Sequence, residues 1–247
     1  VKLSHVAGSA VRRAARMSMP VKAAAAGVTL VAVAAVVTVA TRPPANVLAN
    51  AGFETAGIAT QLQTIPVARS NGAWLAAGQT QVPVRNTAQP VHSGSASGEV
   101  HTPNGGGSGY FLQDVPSLNP NSSYELAAWV YPVTGHQLVE VLYGWDRTGS
   151  ATGTNYIFME PGRTEYGAFG TTANGPAITY GAWHEVRLKV DAGAKVATLV
   201  IDGKEIGKTP VGKNTFTGQL TAVLGQGAGG SNPEDHFYYD DVSLTLK

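Results

Sequence analysis

The feature that most limits the fold is a series of short apolar or alternating segments running from Asn46 to Lys247. Clusters of Gly, Asn, Pro and Ser separate these segments at the spacing typical of antiparallel β proteins. No segment in this part of the chain shows a convincing amphipathic-helix period. The pattern therefore predicts an all-β fold, a two-layer antiparallel β-sandwich. No internal repeat is detected, so we expect residues 46–247 to form one domain.

Seven segments stand out as predicted strands, which is already enough for a sandwich. They are Ser123–Tyr131, Gln137–Trp145, Tyr156–Glu160, Trp183–Val190, Ala194–Ile201, Gln219–Gly225 and Phe237–Leu246. The fourth and fifth predict a hairpin that turns at residues 191–193, and Asp202-Gly203 predicts the next tight turn. The sequence has no cysteine, so disulfide scaffolds and cysteine zinc sites are excluded.

The first 45 residues differ in character from the rest. Residues 23–40 carry no charge, five basic residues precede them, and Thr41-Arg42-Pro43-Pro44 follows. A basic leader before an apolar stretch is typical of a targeting segment rather than of the fold. Eighteen residues is long for a signal peptide and just long enough for a tilted membrane helix, so a cleaved signal and an uncleaved anchor both stay open. A cleaved signal predicts a secreted domain, and an uncleaved anchor predicts a domain held at the cell surface.

The charge of the main domain excludes one class of partner. From Asn46 onward, 11 basic residues face 16 acidic residues, a net charge of −5. Nucleic-acid recognition usually needs clustered Lys and Arg, and no basic stripe is present in the sequence. We therefore expect no nucleic-acid partner, and a membrane contact only through an uncleaved N-terminal segment.

Both ends of the domain resemble a known family. Residues 46–54 read NVLANAGFE, and residues 237–244 read FYYDDVSL. Between them, VHSGSAS at 91–97, YFLQDV at 110–115 and the segment 118–130 follow in the same order. Together these stretches are similar to secreted carbohydrate-binding modules of the family 4/9 type, which are galactose-binding-like jelly rolls. The resemblance implies that the domain binds a polysaccharide or oligosaccharide outside a bacterium without cleaving it.

Two other segments resemble a different group of sandwiches. GAWHEV at 181–186 and ATLVIDG at 197–203 look more like laminin-G or concanavalin-type domains, in which a strand pair ends in a D-G turn. Both groups are jelly-roll sandwiches that commonly bind sugars. The conflict therefore affects strand topology more than function.

The family resemblance also implies a structural calcium ion that ties the first strand to the last. Its expected ligands are Glu54 and Asp241, with backbone or hydroxyl oxygens from His92 to Ser95. Calcium takes six to eight oxygen ligands and gains most from joining segments distant in sequence. The alternative is that both carboxylates are solvated strand ends. Because side chains alternate along a strand, we expect Asp240 and Asp241 on opposite faces, so that only one is a ligand.

Aromatic side chains are the expected sugar contacts, because their faces stack on the apolar faces of pyranose rings. The candidate ligand residues are Trp74, Tyr143, Trp145, Tyr166, Glu140 and Arg163, with Gln79 and Asn155 as further polar partners. Trp129 and Trp183 lie in or beside strongly patterned strands, and we predict that both belong to the core.

Motifs of catalytic sandwiches do not occur in the sequence. It contains no E-x-D-x-x-E strand of a retaining glucanase, and none of the R-x-E-x-R, Q-x-H and Y-x-K motifs of alginate lyases. Its six histidines are scattered, without an H-E-x-x-H motif. No catalytic residue is assigned. A lyase or glycoside hydrolase with a site assembled from separate strands stays open, as does a surface adhesion or structural protein.

Overall fold

β-Strands are the only regular structure in the described part of the chain. The computed structural model describes residues 45–62, 73–78, 81–103, 108–119, 121–143, 153–168, 170–211, 220–225 and 234–247. The strands in these ranges are β1 (Ala59–Leu62), β2 (Leu75–Gly78), β3 (Val84–Asn86), β4 (Ser97–Pro103), β5 (Gly109–Val115), β6 (Tyr124–Thr134), β7 (Gln137–Tyr143), β8 (Gly153–Glu160), β9 (Arg163–Ala168), β10 (Thr171–Gly175), β11 (His184–Asp191), β12 (Val196–Ile201), β13 (Lys204–Pro210), β14 (Leu220–Gly225) and β15 (Glu234–Leu246). The predicted export segment, residues 23–40, lies outside the described residues.

The strands form two sheets that pack as a sandwich. The larger sheet has the order β1-β2-β5-β14-β7-β8-β9-β10, and the smaller has the order β13-β12-β11-β6-β15-β4-β3. Neighbouring strands are antiparallel except β1 and β2, which are parallel. The prediction of an all-β, two-layer sandwich is therefore confirmed. Within the described ranges there is no helix with the length and apolar character needed to cross a bilayer.

The predicted hairpin and turn are confirmed. β11 pairs with β12 in antiparallel register up to Asp191, which lies opposite Val196. The chain reverses between these two residues, and Lys195 there has φ of +54°. At the next reversal Asp202 and Gly203 both have positive φ, 50° and 76°, which is the backbone that an Asp-Gly pair favours in a two-residue turn.

Apolar side chains from both sheets meet between the layers. Those from the smaller sheet include Val100, Leu126, Ala128, Val130, Val186, Leu188, Phe237 and Tyr239. At one end of the core, Phe53 packs on Trp74 and Phe111, with ring centroids 5.6 and 4.9 Å apart. Gly98 in β4 leaves room for these rings, because a Cβ at that position would lie 2.6 Å from Phe53. This aromatic cluster anchors residues 50–54 against the sandwich.

The strand β15 lies in the middle of the smaller sheet, between β6 and β4. The first described residues run beside it, since Val47 N donates to the Leu244 carbonyl at 2.9 Å. Asn46 extends this pairing: its side-chain oxygen accepts from Leu244 N, and its amide nitrogen donates to the Val242 carbonyl. The two ends of the domain are thereby joined by hydrogen bonds.

Candidate functional site

Two predicted sugar ligands, Trp74 and Tyr166, lie in the hydrophobic core, and each is only 2% exposed. The indole N–H of Trp74 donates to the Asn50 carbonyl at 3.0 Å, which satisfies the polar atom of a buried ring. Tyr166 faces inward from β9, and its burial raises the pKa of its hydroxyl. The expectation that these two rings bind a ligand at the surface is corrected, because neither presents a face to solvent.

The remaining predicted sugar ligands are described only in part. Arg163 is exposed on β9 and bonds to Glu160, Glu165 and Asn174. Glu140 and Tyr143 belong to β7, where Glu140 lies opposite Tyr156 of β8 and Val223 of β14. Trp145 and Gln79 lie outside the described residues. Asn155 is buried and donates to the Tyr124 hydroxyl at 2.8 Å, so it is a core residue and not a surface partner.

A row of aromatic rings covers the outer face of the smaller sheet. This outer aromatic row consists of the half-buried His92, Trp129, Tyr131 and Trp183 and the buried Tyr238, which is 8% exposed. His92 stacks on Trp129 with ring centroids 3.8 Å apart. Trp183 meets Tyr131 at 5.5 Å, and Tyr131 meets Tyr238 at 6.2 Å, both with the rings steeply inclined. The contacts run without a gap from one ring to the next.

Strand alternation places these rings outward. Ala128 and Val130 of β6 face the core. Trp129 lies between them and Tyr131 follows Val130, so both of these rings lie on the opposite face of the strand. Trp183 lies just before β11 and is also half-buried. The prediction that Trp129 and Trp183 are core residues is therefore wrong. The solvated face of an antiparallel sheet is ordinarily polar, so a continuous aromatic row there is informative.

Polar groups border the outer aromatic row. Glu99 lies opposite Tyr238 in the sheet and accepts from its hydroxyl at 3.2 Å. Burial, followed by the charge of Glu99, raises the pKa of Tyr238 to about 12, so this hydroxyl remains a hydrogen-bond donor. At the other end, His92 Nδ1 lies 2.7 Å from the Asp241 carboxylate, whose side chain is 36% exposed. The row thus combines ring faces with accessible hydrogen-bonding groups.

The expected calcium ligands converge at one end of the sandwich. A Cβ placed on Gly52 would lie 3.4 Å from Asp240 Oδ1, 3.5 Å from Asp241 Oδ1 and 3.8 Å from Glu54 Cγ. Ser95 donates its N–H and its hydroxyl to the Glu54 carboxylate at 3.0 and 2.7 Å. The hydroxyl and amide of Ser95 hold the pKa of Glu54 below its ordinary value. Glu54, Ser95 and the Asp240-Asp241 pair are far apart in sequence and close together in the fold.

Both aspartates face the same segment, which corrects the expectation that they lie on opposite faces. Asp240 Oδ2 accepts the N–H groups of His92 and Ser93, while Asp241 Oδ1 accepts the Ser93 hydroxyl. The physical reason is a bulge in β15: the register with β6 shifts between Asp240 and Ser243, and Asp241 has φ of +44°. A bulge breaks the simple alternation of side chains along a strand.

The donor set of this cluster fits calcium. It consists of carboxylate and hydroxyl oxygens, and burial raises the pKa of Asp240, whose negative charge a nearby cation would stabilise. The ligand atoms of Glu54, Asp240 and Asp241 do not all lie within 4.8 Å of one another, so a bound ion would draw them together.

No protein-family model and no curated protein matches the chain. Among solved structures, the chain is similar to the module TmCBM61 in complex with β-1,4-galactotriose, with 15% identity and a TM-score of 0.40 over 82% of this chain and 99% of that one. It is also similar to the carbohydrate recognition domain of Emp47p, with 12% identity and a TM-score of 0.44 over 74% and 93% of the two chains. A sialidase gives 10% identity and a TM-score of 0.49 over 70% of this chain, which spans 17% of the sialidase. The solved structures that the chain resembles thus include carbohydrate-binding domains and enzymes, and family membership does not follow from similarities at this level.

Proposed function

We propose that residues 46–247 bind a carbohydrate, without cleaving it, on the outer aromatic row. The observation that carries this proposal is the continuous set of rings, four of them half-buried, on a sheet face that is ordinarily polar. The row spans three adjacent strands, β11, β6 and β15, or about 10 Å across the sheet at the usual strand spacing. That width suits a short stretch of glycan chain lying flat on the sheet.

Binding would combine stacking with hydrogen bonds to sugar hydroxyls. The faces of Trp183 and Tyr131 supply the apolar contact, because the C–H groups of a pyranose ring meet the negative face of an aromatic ring. Glu99 and Asp241, at the two ends of the row, supply acceptors for hydroxyl groups. Since β6 and β15 are paired on both sides, the rings are held in place before the sugar arrives, which reduces the entropy lost on binding.

Calcium and export complete the proposal. We propose that Glu54, Asp240 and Asp241, supported by Ser95, hold calcium, which would fasten residues 50–54 to β15 without touching the sugar. The basic leader and the apolar residues 23–40 would carry the domain out of the cell, as a cleaved signal or as an anchor.

The test is a binding and turnover screen of the full chain on a panel of polysaccharides, in detergent because of residues 23–40, with calcium present. Retention of the protein and release of reducing or unsaturated ends are scored separately. We expect retention on at least one glycan without released ends. Released ends would replace the proposal with an enzyme, and no retention on any glycan would favour a surface protein that contacts other proteins.

Variants then locate the site. Trp183→Ala is expected to weaken binding at least tenfold, the equivalent of about 1.4 kcal/mol, because it removes a central ring of the row. Lys189→Ala, on the same outer face but away from the row, is the matched control and should bind like the parent. If Trp145→Ala abolishes binding while Trp183→Ala does not, the domain binds sugar at the originally predicted residues and not on the outer aromatic row.

A further inference from the structure

Beside the outer aromatic row, two histidines from neighbouring strands face each other. His101 of β4 lies directly opposite His236 of β15, and their rings stack with centroids 4.3 Å apart and 18° between planes. Glu99, two residues before His101, extends from the same face of β4. One ligand atom from each of these three side chains lies within 4.8 Å of the others, and no other such group of His, Asp or Glu occurs in the described ranges.

We propose that Glu99, His101 and His236 bind a divalent transition-metal ion of the zinc, nickel or copper class. Imidazole nitrogens suit these ions, whereas calcium and magnesium prefer sites made of oxygen alone. Two imidazoles and one carboxylate leave a position open for water or another ligand, as in sites that are not purely structural. The site is separate from the carboxylate cluster around Gly52 and adjoins the outer aromatic row, because the His236 and Tyr238 ring centroids are 4.9 Å apart and Glu99 accepts from the Tyr238 hydroxyl.

The His236 and Glu99 ligand atoms require only a small adjustment. His236 Nε2 lies 2.8 Å from Glu99 Oε1. Two ligand atoms bound to zinc at about 2.0–2.1 Å in tetrahedral geometry are about 3.3 Å apart, so this pair would separate by about 0.5 Å. The side chains of His101 and His236 are 30% and 17% exposed, so an ion reaches them from solvent.

A further carboxylate supports the site. Glu234 Oε1 lies 2.7 Å from His101 Nε2, so a second carboxylate contacts this ring. A carboxylate bonded to the second nitrogen of a metal-binding histidine fixes the ring orientation and raises the basicity of the ligand. The backbone register between β4 and β15 holds all four side chains on one face, and turning of the stacked imidazole rings would bring a nitrogen of each onto the ion.

The test is calorimetric titration of zinc chloride into the full chain, in a detergent buffer free of chelators and with calcium present. We expect one zinc per chain. His101→Ala and His236→Ala should each weaken zinc binding at least tenfold, whereas His184→Ala, which removes a histidine bonded to Asp202 outside the cluster, should leave it unchanged.

Circular dichroism shows whether each variant is folded, and His101→Gln and His236→Gln replace any alanine variant that is not. Cobalt serves as a second probe, since its visible absorption reports nitrogen ligands directly. The proposal is overturned if the parent binds no zinc, or if zinc binding survives the loss of both His101 and His236. It is supported if zinc binding is lost when His101 and His236 are replaced, whether by alanine or by glutamine.

Discussion

Replacing Trp74 with alanine separates the structural assignment of this residue from its predicted role in sugar binding. The ring is 2% exposed and packs on Phe53 and Phe111. Removing a buried aromatic ring typically costs about 3–5 kcal/mol, as lost burial and a residual cavity. The Asn50 carbonyl also loses its indole donor, a further loss of about 1 kcal/mol. We therefore expect the upper part of that range, a large fraction of a total stability of about 5–15 kcal/mol.

The assay is urea unfolding followed by far-UV circular dichroism, with the slopes compared to verify that the unfolded states match. Trp74→Phe keeps a ring but removes the N–H donor, so it should cost less than Trp74→Ala. Trp183→Ala is the matched control: its half-buried ring should contribute clearly less to the free energy of unfolding. The reasoning is refuted if Trp74→Ala loses under 1 kcal/mol and at the same time weakens glycan binding.

Three further predictions concern the core, the proposed calcium and acid stability. Gly98→Ala should destabilise the fold by about 1–3 kcal/mol in urea, because its Cβ would lie 2.6 Å from Phe53; an unchanged midpoint would contradict the packing. In zinc-free buffer, a calcium-selective chelator should lower the melting temperature of the parent but not that of Glu54→Gln, and equal responses would argue against calcium at this cluster. A hydrogen bond from His236 holds the pKa of Glu99 below its ordinary value. The resulting stability is present above the unfolded-state pKa of about 4.3 and is lost as pH falls through the lower folded value, so the loss of stability in acid should be shallower in Glu99→Gln.

The sequence predicted the central strands well and the edge strands poorly. β11 alternates between buried and solvated positions, β12 is an almost continuous buried run, and the Asp202-Gly203 pair fixes the turn that follows. β3 and β10, at the ends of the two sheets, read VRN and TTANG. Strands this short and polar carry no apolar pattern, because they have only one neighbour and little to bury. Their pairing depends on the neighbouring strand of the sheet and not on an apolar pattern in their own residues.

The candidate sites show where a one-dimensional pattern stops being informative. In β6, the inward residues Leu126 and Val130 and the outward residues Trp129 and Tyr131 are all apolar, so alternation does not reveal which set is buried. In β15, the bulge at Asp241, where φ is positive, turns the Asp241 side chain away from the direction that strand alternation predicts.

The histidine cluster has the same origin in the fold. His101 and His236 are distant in sequence, and no local spacing connects them. Only the register between β4 and β15 brings the two rings together.

The central position of β15 affects when the domain acquires its structure. Leu244 bonds to Asn46 across a sequence separation of 198 residues, and β15 supplies the partner for both β4 and β6. Folds dominated by such long-range pairings form slowly, because loop-closure entropy is lost before the contacts are gained. Because β15 follows every other described strand in the chain, β4 and β6 lack their shared neighbour until it is in place, and the smaller sheet is completed late in folding.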